Sequence, residues 1–218
     1  LICEFTRGRE SGYFHEAFVN MIALLGWNPG TEQEIFSLEE LVRSFSLERV
    51  HKAGARFDPD KTRWFNHHYM QEHDSHELAT QMKASYEELS SNDIDFIAKV
   101  IDLLKERVTF ISDFRDLGAY FFESPKEYDK KAAKKAFKPD TAEVLRPVRD
   151  IISELEEFKA ENIQSAVKGW ITKNELGFGK VMMPLRIALV GSLHGPDVFE
   201  IMSLIGKTES IDRIDNAL

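Results

Sequence analysis

Residues 182–196 read Met182-Met183-Pro184-Leu185-Arg186-Ile187-Ala188-Leu189-Val190-Gly191-Ser192-Leu193-His194-Gly195-Pro196, and the parsing of this stretch decides the fold. Leu185, Ala188 and Leu189 recur at three- and four-residue spacing, which puts them on one helical face and leaves Arg186 on another. Pro184 suits the first turn of a helix, where its missing N–H has no partner to lose. Gly191 is the expected stop. Gly195-Pro196 then opens a second helix with Val198, Phe199, Met202 and Ile205 as apolar positions and Gly206 as its end. The spacing predicts two short helices meeting at a Ser-Leu-His-Gly-Pro corner, with the backbone donors of a helix start open to an anion or a base edge. By itself the pattern also fits an ordinary helical hairpin.

Working outward, the same periodicity continues. Phe14, Ala17, Phe18, Met21, Ile22 and Leu25 mark a helix within Gly12–Trp27, ended by Gly26-Trp27-Asn28-Pro29-Gly30. Ser37-Leu38-Glu39-Glu40 is a capping box, and Asp58-Pro59 places an N-cap before a proline at the first helical position of a helix reaching about Gln71. Ser75 is read as the cap of a helix to about Leu89. Asp93 caps one whose stripe is Ile94, Ile97, Val100, Ile101, Leu104 and Val108. Further helices are expected over about 114–122, 141–158 and 163–174, with a Gly177-Phe178-Gly179-Lys180 turn before the corner and Ser210 capping a last helix. A softer junction is expected between Ser124 and Pro139. No alternating strand segment and no repeat is present in the pattern, so the class is all-α.

Composition narrows the function. The 218 residues suffice for two modest domains, and 43% hydrophobic with 30% charged residues is a globular balance. No run approaches the ~18 to 20 apolar residues of a membrane span. The single cysteine, Cys3, makes an intramolecular disulfide impossible and suits a reducing cytoplasm. A formal net charge of −9 argues against coating nucleic acid by bulk electrostatics, so any RNA contact must be local. The opening Leu1-Ile2-Cys3-Glu4-Phe5, without an initiator Met, points to a piece of a longer chain.

Three blocks carry a resemblance. Pro184-Leu185-Arg186, Ala188-Leu189, Gly191, Gly195-Pro196 and Ile205-Gly206-Lys207-Thr208 resemble the C-terminal signature of bacterial glutamyl-tRNA synthetases. Gly12-Tyr13-Phe14, Glu16-Ala17-Phe18-Val19-Asn20 and Ala23-Leu24-Leu25-Gly26-Trp27 resemble the segment after that family's catalytic core. Phe45-Ser46-Leu47-Glu48-Arg49-Val50, Phe57-Asp58-Pro59-Asp60-Lys61 and Trp64-Phe65-Asn66 resemble its stem-contact region. Together they cover nearly the whole chain in order. The resemblance implies an elongated helical array, with a stem-contact region over 1–70 and two anticodon-binding helical subdomains over 71–136 and 137–218. It also implies a cytoplasmic, monomeric enzyme that ligates L-glutamate to tRNA(Glu) with ATP and Mg through a glutamyl-adenylate, without DNA or membrane as a partner. Both ATP-handling signatures of a class I synthetase are missing from these residues, so this piece is expected to bind tRNA without aminoacylating it and to hold no cofactor or metal itself.

The resemblance also implies site residues. Arg107, at the end of the Asp93 helix, matches the arginine that reads the third anticodon base, in the form restricted to tRNA(Glu). A guanidinium can pair bidentately with a base edge where lysine cannot. The plain alternative is a surface pair with Glu106 or Asp113. Arg186, Gly195, Pro196 and Val198 match the positions that hold the first two anticodon bases, although Pro196 also reads as a helix starter and Val198 as core. Lys61 and Arg63 match the region touching the tRNA elbow, where phosphate contacts position RNA without choosing sequence. Trp64 matches the same elbow region, but on its apolar spacing with Phe57 it is read as core. The basic run Lys130-Lys131-Ala132-Ala133-Lys134-Lys135 suits either backbone phosphate or a solvated face.

Other chemistries find little support. His67, His68, His73 and His76 crowd one region, but neither His76-Glu77-Leu78-Ala79-Thr80 nor His15-Glu16-Ala17-Phe18-Val19 completes a zinc-binding H-E-x-x-H. Gly206-Lys207-Thr208 lacks the earlier glycine of a phosphate loop, that position being Ile201. Cys3 has no neighbouring base in sequence to activate it. Two rival functions remain at this point: a non-catalytic helical module binding a protein through the Phe121-Phe122 and Phe178 neighbourhood, and a metal-dependent hydrolase built on the histidines.

Overall fold

Short acidic and hydroxyl side chains start most of the helices, because each helix begins with N–H groups that have no carbonyl behind them. The computed structural model describes residues 12–50 and 58–218, so the readings on Leu1–Phe5, Cys3 and Phe57 lie outside the described residues. Among the described residues the secondary structure is helical apart from an isolated bridge between Trp27 and Val50. The expected all-α class holds. Two units divide the chain, Leu1–Asp116 and Leu117–Leu218.

In the first unit α1 (His15–Gly26) packs on α3 (Pro59–Glu72), and α2 (Leu38–Ser44) packs beside α1. Ser37 and Glu40 form the expected capping box, and Asp58 accepts from the amides of Asp60 and Lys61. Buried Phe14, Phe18, Met21, Phe65 and Met70 fill the α1–α3 contact. Asn20 and Asn66 are buried among them. Asn20 donates to the carbonyl of Glu34 at 2.7 Å and accepts from the Phe36 amide at 2.6 Å and the Tyr69 hydroxyl at 3.1 Å. Burial, with Glu72, Glu16 and Glu40 nearby, pushes the Tyr69 hydroxyl up to about 12, so it stays a donor. Asn66 accepts from the Phe14 amide at 2.8 Å and donates to the carbonyl of Thr109. A buried amide left unpaired costs about 1 to 3 kcal/mol, so these side chains fix the 28–37 and 105–110 segments against the helices.

Beyond them, α4 (Ser75–Ser85) packs on α5 (Ile94–Leu104), and of the predicted stripe Ile97, Val100, Ile101, Leu104 and Val108 are buried while Ile94 is exposed. Asp74, not Ser75, caps α4; its carboxylate accepts from His76 and Glu77, while the Ser75 hydroxyl turns to Asp102. An aspartate one residue earlier offers the stronger, charged acceptor. The division between the units falls within α6 (Ile111–Phe122).

The second unit contains α7 (Lys130–Ala136), α8 (Thr141–Glu154), α9 (Ala160–Lys173), α10 (Phe178–Val190), α11 (Val198–Ile205) and α12 (Lys207–Asn216). Helix α10 packs against α7, α8 and α12, while α9 packs on α11 and α8 on α12. Three expectations are corrected here. The Gly177–Lys180 turn is the start of α10, so Pro184 lies inside that helix and not in its first turn. Burial of Val181 along with Leu185, Ala188 and Leu189 outweighs the hydrogen bond that Pro184 removes. Ser210 does not cap α12; it is buried within it and donates to the carbonyl of Gly206 at 2.7 Å. And the 124–139 stretch is tied down, since the Asp129 amide donates to the Gly191 carbonyl at 2.8 Å.

Candidate nucleic-acid interface

The corner between α10 and α11 is held open by two glycines and one arginine. Gly191 ends α10 in the left-handed region (φ 80°), and a Cβ there would stand 3.1 Å from both the Glu127 carbonyl oxygen and Pro125 Cβ. Gly195 has φ 137°, and a Cβ on it would stand 3.2 Å from the Tyr120 hydroxyl and 3.5 Å from Arg186 Nη1. Only glycine meets both demands without strain. Arg186, half-buried on α10, donates from Nη1 to the Pro196 carbonyl at 2.7 Å. Three of the residues read as one site, Arg186, Gly195 and Pro196, therefore do meet.

Two details differ from the sequence reading. The helix-start donors expected to be open are taken: the Asp197 carboxylate accepts from the Phe199 amide at 2.8 Å and from the Glu200 amide at 3.4 Å, so α11 opens at Asp197 and not at Gly195-Pro196. Val198 is 1% exposed and lies in the core beside Phe199, so it has only backbone to offer a ligand. Pro196 is buried as well.

One supporting residue went unread in the sequence. Arg213 on α12 is 2% exposed, and its Nη1 donates to the carbonyl of Leu189 at 2.7 Å in the last turn of α10. Its Nε donates to Glu209 at 2.7 Å, and Glu209 also accepts from the Ser124 hydroxyl at 2.5 Å. The Ser124 hydrogen bond, then the Arg213 guanidinium, hold the Glu209 carboxyl below its ordinary value. Glu209 and Arg213 at i, i+4 look like any surface pair; their flanking buried residues, Ser210 and Ile214, are the signal that this turn of the helix faces inward.

The remaining candidates sit in the first unit. Arg107 closes a 3-10 turn, Lys105–Arg107, that follows α5. It is exposed and has no carboxylate within ion-pair distance among the described residues. Asp113, one of its suggested partners, is engaged with the amides of Thr109 and Phe110 at 2.8 and 2.9 Å. Lys61 forms an ion pair with Glu34 and lies 5.9 Å over the Phe65 ring; Arg63 lies 5.7 Å over the Phe110 ring, exposed. Trp64, read as core, is 46% exposed beside Lys61 and Arg63 in sequence, because α3 turns Phe65 inward in its place.

The histidines serve four separate local contacts. His67 meets the Val108 carbonyl, His68 pairs with Glu72, His73 stacks on Phe14 at 4.1 Å, and His76 pairs with Asp95. Among the described residues no group of three or more His, Cys, Asp or Glu is placed to hold a metal. Nor is any described helix long and apolar enough to cross a membrane. Of the aromatic residues supposed to meet a protein partner, Phe121 is buried, Phe122 is half-buried and Phe178 is exposed beneath Lys168.

Geometry and comparison agree on the class. Residues 69–218 match the family model described as an anticodon binding domain, and the chain belongs to that family. Residues 3–64 match the model for the catalytic domain of class I tRNA synthetases (E and Q). The chain is 50% identical over 212 residues to the glutamate–tRNA ligase of Christiangramia forsetii and 47% identical to that of Flavobacterium johnsoniae, covering 96% of itself and 42% of each relative. The crystal structure of a glutamate tRNA ligase from Elizabethkingia meningosepticum, in complex with its amino acid, superposes with a TM-score of 0.89 at 44% identity, again over 96% of this chain and 42% of the other. The chain thus spans less than half the length of the relatives it matches.

Proposed function

We propose that this chain is the tRNA-binding part of a glutamate–tRNA ligase and that it reads the anticodon of tRNA(Glu). The observation that carries the proposal is the corner itself: in a chain whose residues 69–218 match an anticodon-binding model, Arg186 reaches the carbonyl of Pro196 beside a glycine with no room for a side chain. Within this reading residues 1–70 contact the stem, and 71–136 and 137–218 are the two anticodon-binding subdomains. Arg107 reads the third anticodon base with a guanidinium that no carboxylate among the described residues has claimed. Arg186, Gly195 and Pro196 hold the first two bases, the arginine plane and the bare glycine backbone accepting splayed bases, while Val198 seats the corner from the core. Lys61 and Arg63 position the elbow through phosphate.

In the whole enzyme, a cytoplasmic monomer, ATP with Mg activates L-glutamate as the adenylate before transfer to tRNA(Glu). That chemistry is the whole ligase's, and the part proposed for residues 69–218 is to hold and select the RNA. Gel-shift titration with a tRNA(Glu) transcript tests the reading. Binding that weakens on changing the third anticodon base supports it; affinity indifferent to all three anticodon bases defeats it.

A further inference from the structure

A second feature of the corner does not include Arg186 in its lining. Residues Ser192 and His194 line a cavity of about 280 Å³ together with Lys131 and Lys135 of α7, some sixty residues earlier in the chain. The Asp129–Gly191 hydrogen bond and the tight seat of Gly191 against Pro125 and Glu127 bring α7 to this position. Lys131 and Lys135 stand at i, i+4 on one face, a like-charge spacing that weakens a helix. Neither ammonium has a carboxylate within ion-pair distance among the described residues. Asp129 also borders the cavity, but its Oδ1 accepts from the Ala132 amide at 2.6 Å. The other polar lining groups are the His194 imidazole and the Ser192 hydroxyl, which donates to the His194 carbonyl at 3.3 Å and would turn from it to meet a ligand. Two ammonium groups against one carboxylate already engaged by a backbone amide, with a hydroxyl and an imidazole beside them, form a receptor for an oxyanion.

Resting on the anticodon-binding reading, we propose that Lys131, Lys135, Ser192 and His194 hold a backbone phosphate of the same RNA loop whose bases meet Arg186. His194 of the phosphate cavity and Gly195 beside Arg186 are consecutive residues, so both groups of residues meet in one turn of the chain. A splayed strand presents its phosphates on one side and its bases on the other, and the corner offers cations to the first and an arginine with bare backbone to the second. This explains how a chain of net charge −9 holds RNA: the needed positive charge is gathered at one point.

The test is the salt dependence of binding between the 218-residue chain and an anticodon stem-loop of tRNA(Glu), for the wild type, Lys131→Gln/Lys135→Gln, Lys131→Arg/Lys135→Arg, and the ion-paired surface control Lys126→Gln/Lys159→Gln. The glutamine pair should lower the slope of log affinity against log salt by about 0.7 to 1.4, and should weaken cognate and altered anticodons by equal factors. The arginine pair and the control should keep the wild-type slope. An unchanged slope in the glutamine pair, with wild-type binding still dependent on the anticodon, overturns this assignment and leaves the anticodon reading standing; absence of any wild-type binding overturns both. Inorganic phosphate, followed by NMR shifts of the 192–194 amides, separates the remaining source. Phosphate binding that the glutamine pair abolishes while RNA binding stays unaltered would make the cavity a free-anion site and refute the RNA role.

Discussion

Arg186 Nη1 donates to the Pro196 carbonyl across the α10–α11 corner at 2.7 Å, so one guanidinium shapes the backbone of the corner and borders the place proposed for the bases. Arg186→Lys keeps a charge but loses the planar fork, and should reduce discrimination at the first two anticodon bases by about 1 to 3 kcal/mol. Competition binding with RNAs altered at each base measures this. Equal losses for every RNA would show that the arginine contributes charge alone.

Arg107→Ala should behave differently. Its side chain is exposed and unpaired among the described residues, so thermal stability should change by less than about 0.5 kcal/mol. Selectivity for the third anticodon base should fall, again by about 1 to 3 kcal/mol, visible as nearly equal Kd values for the cognate and altered transcripts. Intact selectivity would remove the residue from the site.

Gly195→Ala forces a side chain into φ 137° against the Tyr120 hydroxyl and Arg186, a loss of about 1 to 2 kcal/mol. Gly191→Ala meets a fixed carbonyl and a proline ring at 3.1 Å as well as a left-handed φ, and should cost about 3 kcal/mol. Urea unfolding midpoints should therefore rank wild type, then the Gly195 variant, then the Gly191 variant.

Asn20→Ala strips a partner from the Phe36 amide and the Glu34 carbonyl inside the first unit. The expected loss is about 2 to 3 kcal/mol, read from denaturant unfolding. Tyr69→Phe removes a hydroxyl from the Phe36 carbonyl but leaves Asn20 holding the Phe36 amide and the Glu34 carbonyl, so it should cost less than the asparagine change.

Glu209 supplies a pH test. Its folded-state pKa lies below the ordinary 4.5, first through the Ser124 hydrogen bond and then through Arg213. The stability it contributes is complete above that ordinary value and is lost as pH falls through the lowered one, since only then does the folded state take up the proton. Glu209→Gln should thus lower the melting temperature at neutral pH and flatten its decline below about pH 4.5. A variant with the same acid slope as the wild type would contradict the assignment.

Three helix starts were legible in local sequence, because a capping carboxylate or hydroxyl acts on amides two or three residues away: Ser37, Asp58 and Asp93 cap as read, whereas the caps at Asp74, Asp129 and Asp197 were not read. The errors came where a distant contact competes with a local rule. Pro184 is a helix starter by local chemistry and a helix interior residue by burial, and Trp64 yields the core to Phe65. The site was half legible. Arg107, Arg186, Gly195 and Pro196 stand out by type and resemblance, whereas Arg213 is indistinguishable from a surface arginine until its partner Leu189, 24 residues away, is known.

The amino-acid order alone determined the helical class and the glycine stops, consequences of interactions spanning a few residues, while the roles proposed for the arginines came from the resemblance. The tertiary structure decided which helix start was left without free donors, which valine sank into the core and which two lysines came to face the Ser192–His194 turn. Those outcomes depend on burial and on hydrogen bonds closed across tens of residues, and no short-range rule carries that information.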